Sequence, residues 1–289
     1  MTKIAIIGLG EMGASIAAVL SQNANHEVTG VDSDTKALEF ALKTGIITKK
    51  ASNIEQIASQ MEVIILATPV NIISQLIVQL SHLRLKERVI ITDTGSTKRE
   101  IMALAEKLLT PQNITFIGGH AMAGTHKSGV YAADIKLYHH VTYFLMPSTI
   151  STSEPLIDLF KPLGANFKTM SVDEHDDLMA MISDVPHIVA FSLVNAATNR
   201  LGPANMFGQY VAGGFKDTTR IAASDPELWT DALLSNSAAV LASQKQLIVE
   251  LEKFNTVILA NDRSKLMAMI TDAKASRETL LDKQFGGKS

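Results

Sequence analysis

Short apolar runs alternate with amphipathic stretches through the first 170 residues, and that rhythm is lost afterwards. Residues 3–7, Lys-Ile-Ala-Ile-Ile, read as a buried strand, and 14–24 as the helix behind it. Further strands are expected at 27–31, 63–66, 89–92, 114–117, 141–145 and 166–169. Helices are expected between them. One is capped by Ser33 or Asp34, runs through Leu42 and closes at Gly45. One carries Pro69 in its first turn, where a missing N–H costs nothing, and reaches about His82. Two more lie at 97–109 and 154–163. Such alternation implies a largely parallel sheet with ligands at the C-terminal ends of its strands.

The period changes near Ser171. Ser171-Val172-Asp173-Glu174 is a capping-box signature, and no strand pattern follows it. Residues 178–199 read as a helix kinked at Pro186. Asp225-Pro226 opens another, in which Leu234, Ala238, Leu241, Lys245, Ile248 and Leu251 form one stripe of a single long helix. Residues 255–281 continue helically.

The turn after the first strand gives this pattern a chemistry. Gly8-Leu9-Gly10-Glu11-Met12-Gly13 is G-x-G-x-x-G between a strand and a helix. Its glycines suit a tight turn, close approach of a pyrophosphate and close helix–sheet packing, and the helix N-terminus offers free N–H groups to phosphate. The second strand ends at Asp32, about twenty residues on, where a carboxylate binds the adenosine ribose hydroxyls. Asp32 repels a 2′-phosphate and no arginine follows it, so NAD is favoured over NADP. Thr68, in the turn after the 63–66 strand, joins Gly8, Leu9, Gly10, Glu11, Met12, Gly13 and Asp32 as a cofactor-binding residue. The fold class expected is α/β: a Rossmann-type dinucleotide-binding domain at 1–170 and an all-α domain at 171–289.

Composition changes this picture little. The chain has 289 residues, 46% hydrophobic and 19% charged, ample for two domains. A net charge of -3 without a basic run gives no reason to expect nucleic acid or an anionic membrane. There is no cysteine, hence no disulfide and no thiolate chemistry, and no cluster with metal spacing. The charge-free run 185–199 is too short to span a bilayer, and no signal peptide is expected before the first strand. A cytoplasmic protein is the expectation.

A nicotinamide at this sheet would lie near the ends of the fourth and fifth strands. Ser96 falls in the loop after one, His120 in a glycine-rich loop after the other, whose glycines are expected to bend the backbone sharply around the ring. Asp176, Ala180, Ser183 and His187 share a helix face as a polar stripe. Arg220, after Gly213-Gly214-Phe215-Lys216-Asp217-Thr218-Thr219, suits a carboxylate. Trp229, the only tryptophan, suits a pocket wall or a core position.

These motifs together resemble the prephenate/arogenate dehydrogenase family of tyrosine biosynthesis. The resemblance spans nearly the whole chain and rests on the glycine turn, Asp93-Thr94-Gly95-Ser96-Thr97-Lys98, Gly118-Gly119-His120-Ala121-Met122-Ala123-Gly124, Lys127-Ser128-Gly129, Val185-Pro186-His187, and 214–220 with Asp225-Pro226-Glu227-Leu228-Trp229. It implies oxidation of the C4 hydroxyl of prephenate with NAD(P), loss of the ring carboxylate as carbon dioxide, and aromatisation. It also implies that His120 accepts the hydroxyl proton, that Ser96 orients His120 and touches the nicotinamide, that His187 and Arg220 bind substrate with Ser183 and Trp229 close by, and that the helical domain joins a homodimer. The sequence departs from the family in places. Ala121 stands where proline is usual, Asp184 where many members have histidine, and His126 where many carry an acidic residue. His126, when protonated, is expected to add a second cation for a substrate carboxylate. No regulatory ACT domain and no chorismate mutase domain is expected. The alternatives are arogenate dehydrogenase, with Asp184 or Asp176 on the substrate amine; a β-hydroxyacid dehydrogenase or imine reductase; and a non-catalytic nucleotide sensor.

Overall fold

Side chains on successive strand residues point to opposite faces, and β1 (Thr2–Ile7) is apolar on both. Ile4 and Ile6 enter one core cluster, Ala5 and Ile7 the other. A strand buried on both faces belongs in the middle of a sheet covered by helices. The computed structural model describes residues 1–125 and 127–285; His126 lies outside the described residues, and so do the side chains of 281–285. The other strands are β2 (His26–Val31), β3 (Lys49–Ala51), β4 (Val63–Leu66), β5 (Ile90–Asp93), β6 (Thr115–Ala121), β7 (Thr142–Pro147) and β8 (Asn166–Thr169). They form one 8-stranded sheet in the order β3-β2-β1-β4-β5-β6-β7-β8. Every neighbouring pair is parallel except β6 and β7, which are antiparallel. The helices that accompany it are α1 (Glu11–Leu20), α2 (Thr35–Lys43), α3 (Val70–Ser81), α4 (Arg99–Leu108) and α5 (Glu154–Phe160).

Three local differences from the sequence expectation have physical causes. Helix α1 stops at Leu20 rather than 24, because the Asn23 side chain accepts the Asn25 N–H and turns the chain. Strand β3 has only three residues, too few to show a period. The glycine-rich stretch around His120 is not a bent loop: β6 runs through Ala121, and His120 pairs with Phe144 of β7. Gly119 is there for close approach, since a Cβ on it would lie 2.5 Å from the Asp93 carbonyl oxygen.

Beyond the sheet the chain is helical: α6 (Val172–Met179), α7 (Val185–Leu201), α8 (Ala204–Phe207), α9 (Gly213–Thr219), α10 (Pro226–Ser235), α11 (Ser237–Leu259) and α12 (Arg263–Phe285). Ser171 caps α6 with the reciprocal Glu174 contact of a capping box. The π-helical turn Ala180–Asp184 joins α6 to α7 directly before Pro186. A wide turn at that point accommodates a ring that has no N–H to donate. The resulting 30-residue run, Val172–Leu201, exceeds the 185–199 stretch considered above, and by length and hydropathy it would suffice to cross a bilayer. Its buried Asp176 and Asp184 are instead bonded to other parts of this chain.

The single long helix expected beyond Pro226 is two helices. Asn236 ends α10, and its buried side-chain N–H₂ donates to the Asp176 carbonyl and to Asp184 Oδ2 at 2.9 and 3.1 Å. The stretch 255–281 is likewise divided: Asn261 is left-handed at φ 49°, and Asp262 caps α12 by accepting the Lys265 N–H. Residues 1–240 form one compact unit and 241–289 another. Leu241, Ile248 and Leu251 of the second unit are exposed.

Candidate active site

From β1 the chain goes first to β2 on one side and later to β4 on the other, so a crevice opens outside the ends of these strands. The glycine turn lies there. A Cβ on Gly13 would sit 2.1 Å from the Gly8 carbonyl oxygen, whereas one on Gly10 would meet nothing within 4 Å. Gly13 therefore serves packing, and Gly10 leaves open space at the N-terminus of α1 where phosphate is favoured. Asp32, at the end of β2, accepts the Leu9 N–H at 2.6 Å and the Asp34 N–H at 2.8 Å. The carboxylate thus braces the turn, and each oxygen keeps a lone pair for a ribose hydroxyl. Thr68 Oγ1, beyond β4, is buried with no hydrogen-bond partner among the described residues, an orphan that a bound ligand would satisfy. These features fit a dinucleotide. Leu9 and Glu11 have only their backbones for it: Leu9 is in the core, and the Glu11 carboxylate accepts the Thr125 N–H and hydroxyl at 2.8 and 2.6 Å.

Strand alternation turns His120 to the face that carries Phe116, Phe144 and Met146. There its Nδ1 lies 2.8 Å from Nε2 of His175 on α6. His175 is fully buried, and its Nδ1 lies 2.7 Å from Oδ1 of Asp176, also fully buried. The N–H groups of Lys98 and Arg99, entering α4, donate to Asp176 at 3.0 and 2.8 Å. Lys98 forms a fully buried ion pair with Asp93, which also accepts the N–H groups of Gly95 and Gly119. One carboxylate thereby ties the ends of β5 and β6 together. Burial above all, and then the Lys98 charge, push His120 well below the usual histidine range. His120 itself is only partly buried.

The resemblance implied that Ser96 orients His120. Among the described residues the ring is held by His175 instead, and Ser96 makes no hydrogen bond to it. Ser96 lines a cavity of about 270 Å³ with Pro69, Val70, Asp225 and Leu228, between the start of α3 and that of α10. His175 and Lys98 were not singled out from the sequence. The signal available was a His-Asp pair directly after a capping box.

A second cluster forms where α7 meets α10. His187 Nδ1 lies 2.9 Å from the Ser183 carbonyl oxygen and donates to it, leaving Nε2 free. The His187 ring stacks on Trp229. Arg220 is exposed and has no ion-pair partner among the described residues. Burial and the Arg220 charge hold His187 below the usual histidine value, against the pull of the Ser183 carbonyl. The predicted polar stripe is divided. Ser183 and His187 stay together, while Asp176 and Asp184 turn inward to backbone and Asn236 partners. Both acids are buried. The run from α6 to α7 carries both histidines, so one helix positions both clusters.

Two family models match the chain: the prephenate dehydrogenase nucleotide-binding domain over residues 16–169 and the prephenate dehydrogenase dimerization domain over 171–272. The prephenate dehydrogenase of Bacillus subtilis is 36% identical over 98% of this chain and 77% of its own length. That of Lactococcus lactis is 37% identical over 97% and 78%. The crystal structure of the Aquifex aeolicus prephenate dehydrogenase with hydroxyphenyl propionate and NAD+ superposes with a TM-score of 0.89 at 29% identity, covering 97% of this chain and 98% of that one.

Proposed function

The chain belongs to the prephenate dehydrogenase family, and from that premise we propose how its own residues divide the work. The reaction is oxidative decarboxylation of prephenate to 4-hydroxyphenylpyruvate, with NAD as oxidant. Bound NAD supplies the acceptor for the hydride that leaves C4. The turn Gly8, Leu9, Gly10, Glu11, Met12, Gly13, with Asp32, Thr68 and Ser96, holds it.

His120 takes the C4 hydroxyl proton. The observation that carries this is a histidine at the C-terminal end of β6, still partly open, whose burial keeps it uncharged and able to accept near neutral pH. As that proton leaves, the hydride departs from C4 more easily and the ring carboxylate is lost as carbon dioxide. Arg220, exposed and without an ion-pair partner among the described residues, binds a substrate carboxylate, while His187, Ser183 and Trp229 form the adjoining wall. His126, when protonated, adds a second cation to the site, a reading that rests on the sequence alone. The inward bonding of Asp176 and Asp184 favours a keto substrate over its amine counterpart.

Residues 1–170 act as the cofactor domain and 171–289 as the substrate and dimerisation domain of a cytoplasmic homodimer. Supporting dimerisation, Leu241, Ile248, Leu251 and Ile258 of α11 and Met267 and Ile270 of α12 are exposed in the single chain.

The test is reduction of NAD by purified protein given prephenate. His120→Asn is expected to keep NAD affinity and lose turnover, and Arg220→Gln to raise KM for prephenate on the order of 10²-fold, as loss of a charge-assisted pair implies. Full turnover in His120→Asn would remove the histidine from its role. A monomer by light scattering would remove the dimer.

A further inference from the structure

We propose that His175 and Asp176 are positioning residues that fix the tautomer of His120, so that the Nε2 lone pair is the one presented to the substrate hydroxyl. This rests on the reading of His120 as the base. A carboxylate only accepts, so the bond between Asp176 Oδ1 and His175 Nδ1 places a hydrogen on that nitrogen. In the neutral His175 ring Nε2 then carries the lone pair. The 2.8 Å contact to His120 Nδ1 needs one donor, and the donor is His120. His120 Nε2 is left unprotonated. The opposite tautomer would present an N–H to the substrate hydroxyl and could not take its proton.

The far end of this chain of bonds is anchored on several sides. Asp176 is fully buried and is gripped by the N–H groups of Lys98 and Arg99 at the start of α4. Burial opposes its charge, but the His175 bond and these N–H groups outweigh burial and keep its pKa below the usual carboxylate value. Asn236 fixes the same residue from another side by donating to its carbonyl. The anchored acid lies on α6, the base on β6, and His175 spans the gap. Phe144, opposite His120 in the sheet, packs edge-on against His175, so the bridging ring has one orientation. This division of labour explains why Ser96 need not hold His120.

Asp176→Asn tests the assignment with little change of shape. Its amide N–H₂, placed where Oδ1 now stands, would donate to His175 Nδ1, while the amide oxygen keeps the Arg99 N–H and takes over the Lys98 N–H, which already lies 3.2 Å from Oδ2. His175 would then carry its hydrogen on Nε2, and His120 would be driven to the Nε2–H form. The experiment combines nitrogen NMR of histidine-labelled protein, free of cofactor, with steady-state kinetics. The wild type is expected to show His120 as Nδ1–H and Asp176→Asn as Nε2–H. In the variant kcat should fall on the order of 10²-fold or more, as in other enzymes where an acid sets a histidine tautomer, with KM for prephenate and NAD affinity held.

A wild-type His120 found as Nε2–H overturns the proposal and needs no variant to fold. So does an Asp176→Asn enzyme with unchanged kcat. His175→Phe keeps the ring and removes both nitrogens, and unchanged kcat there would count equally against it. The reading of His120 as base fails separately, by turnover surviving in His120→Asn.

Discussion

The rings of His187 and Trp229 lie stacked, their centroids 3.3 Å apart and their planes 22° from parallel. The first comes from α7 and the second from α10, so the stack ties the second cluster's two helices together at the substrate wall. Stacked aromatic pairs are worth about 0.5–1.5 kcal/mol beyond the area they bury. Trp229→Leu is therefore expected to raise KM for prephenate roughly 3- to 10-fold, with kcat and NAD affinity little changed. Trp229→Phe should restore most of the loss. Steady-state kinetics decide it, and an unaltered KM in the leucine variant would place the stack outside the site.

Two glycines of one turn should fail differently when given a methyl group. Gly13→Ala puts a carbon 2.1 Å from the Gly8 carbonyl oxygen, a backbone atom that cannot move aside cheaply. A loss of about 3 kcal/mol of stability is expected, as for other overpacked core sites. Gly10→Ala meets nothing within 4 Å and should fold normally, but its methyl group occupies the space proposed for pyrophosphate. Thermal melting with and without NAD separates the two. A Gly10→Ala protein with undiminished NAD affinity would move the phosphates elsewhere.

Asp184 should weaken the fold as it ionises. Burial, opposed by the Asn236 bond and assisted by the nearby Asp176 charge, raises its pKa to about 6. The folded state therefore holds this proton more tightly than the unfolded chain, whose value is about 3.9. Stability falls as pH rises through that interval, and the loss persists above it. Asp184→Asn removes the effect while its side-chain oxygen still accepts from Asn236. The variant should gain on the order of 2 kcal/mol over the wild type between pH 4 and pH 7. Asp176 has the opposite sign but is common to both proteins, so it cancels. A difference in denaturation midpoint that does not grow with pH would contradict this.

The acid limb of the rate profile should lie low. A base must be uncharged to accept a proton, and burial and the Lys98 charge hold His120 well below the usual histidine value. His187 is lowered too, by burial and by Arg220. The quotient kcat/KM for prephenate should accordingly stay level as pH falls through about 6.5 and decline only below it. A decline centred at or above that value would show His120 to be charged at neutral pH in the free enzyme.

The sequence by itself determined what local spacing can encode. A strand, three glycines and a helix follow one another in order, and Asp32 ends the next strand, because each feature depends on neighbours within a few residues. The Ser171 capping box and the Asp225 cap are legible for the same reason. The candidate base, His120, stood out among glycines, though the work of its neighbour Gly119 did not: it lets β6 approach the end of β5 rather than bend around the ring. Tertiary structure alone decided the rest. Asn236 interrupts a continuous helical period because its side chain bonds to Asp176 and Asp184 of the preceding helical run, 60 and 52 residues earlier. His175 reaches His120 across 55 residues because the position of α6 over β6 sets that distance, and no period along the chain records it. A pattern of apolar positions says which face of a helix is buried; which polar atom meets which partner there depends on the register between elements that fold separately in sequence and pack together in space.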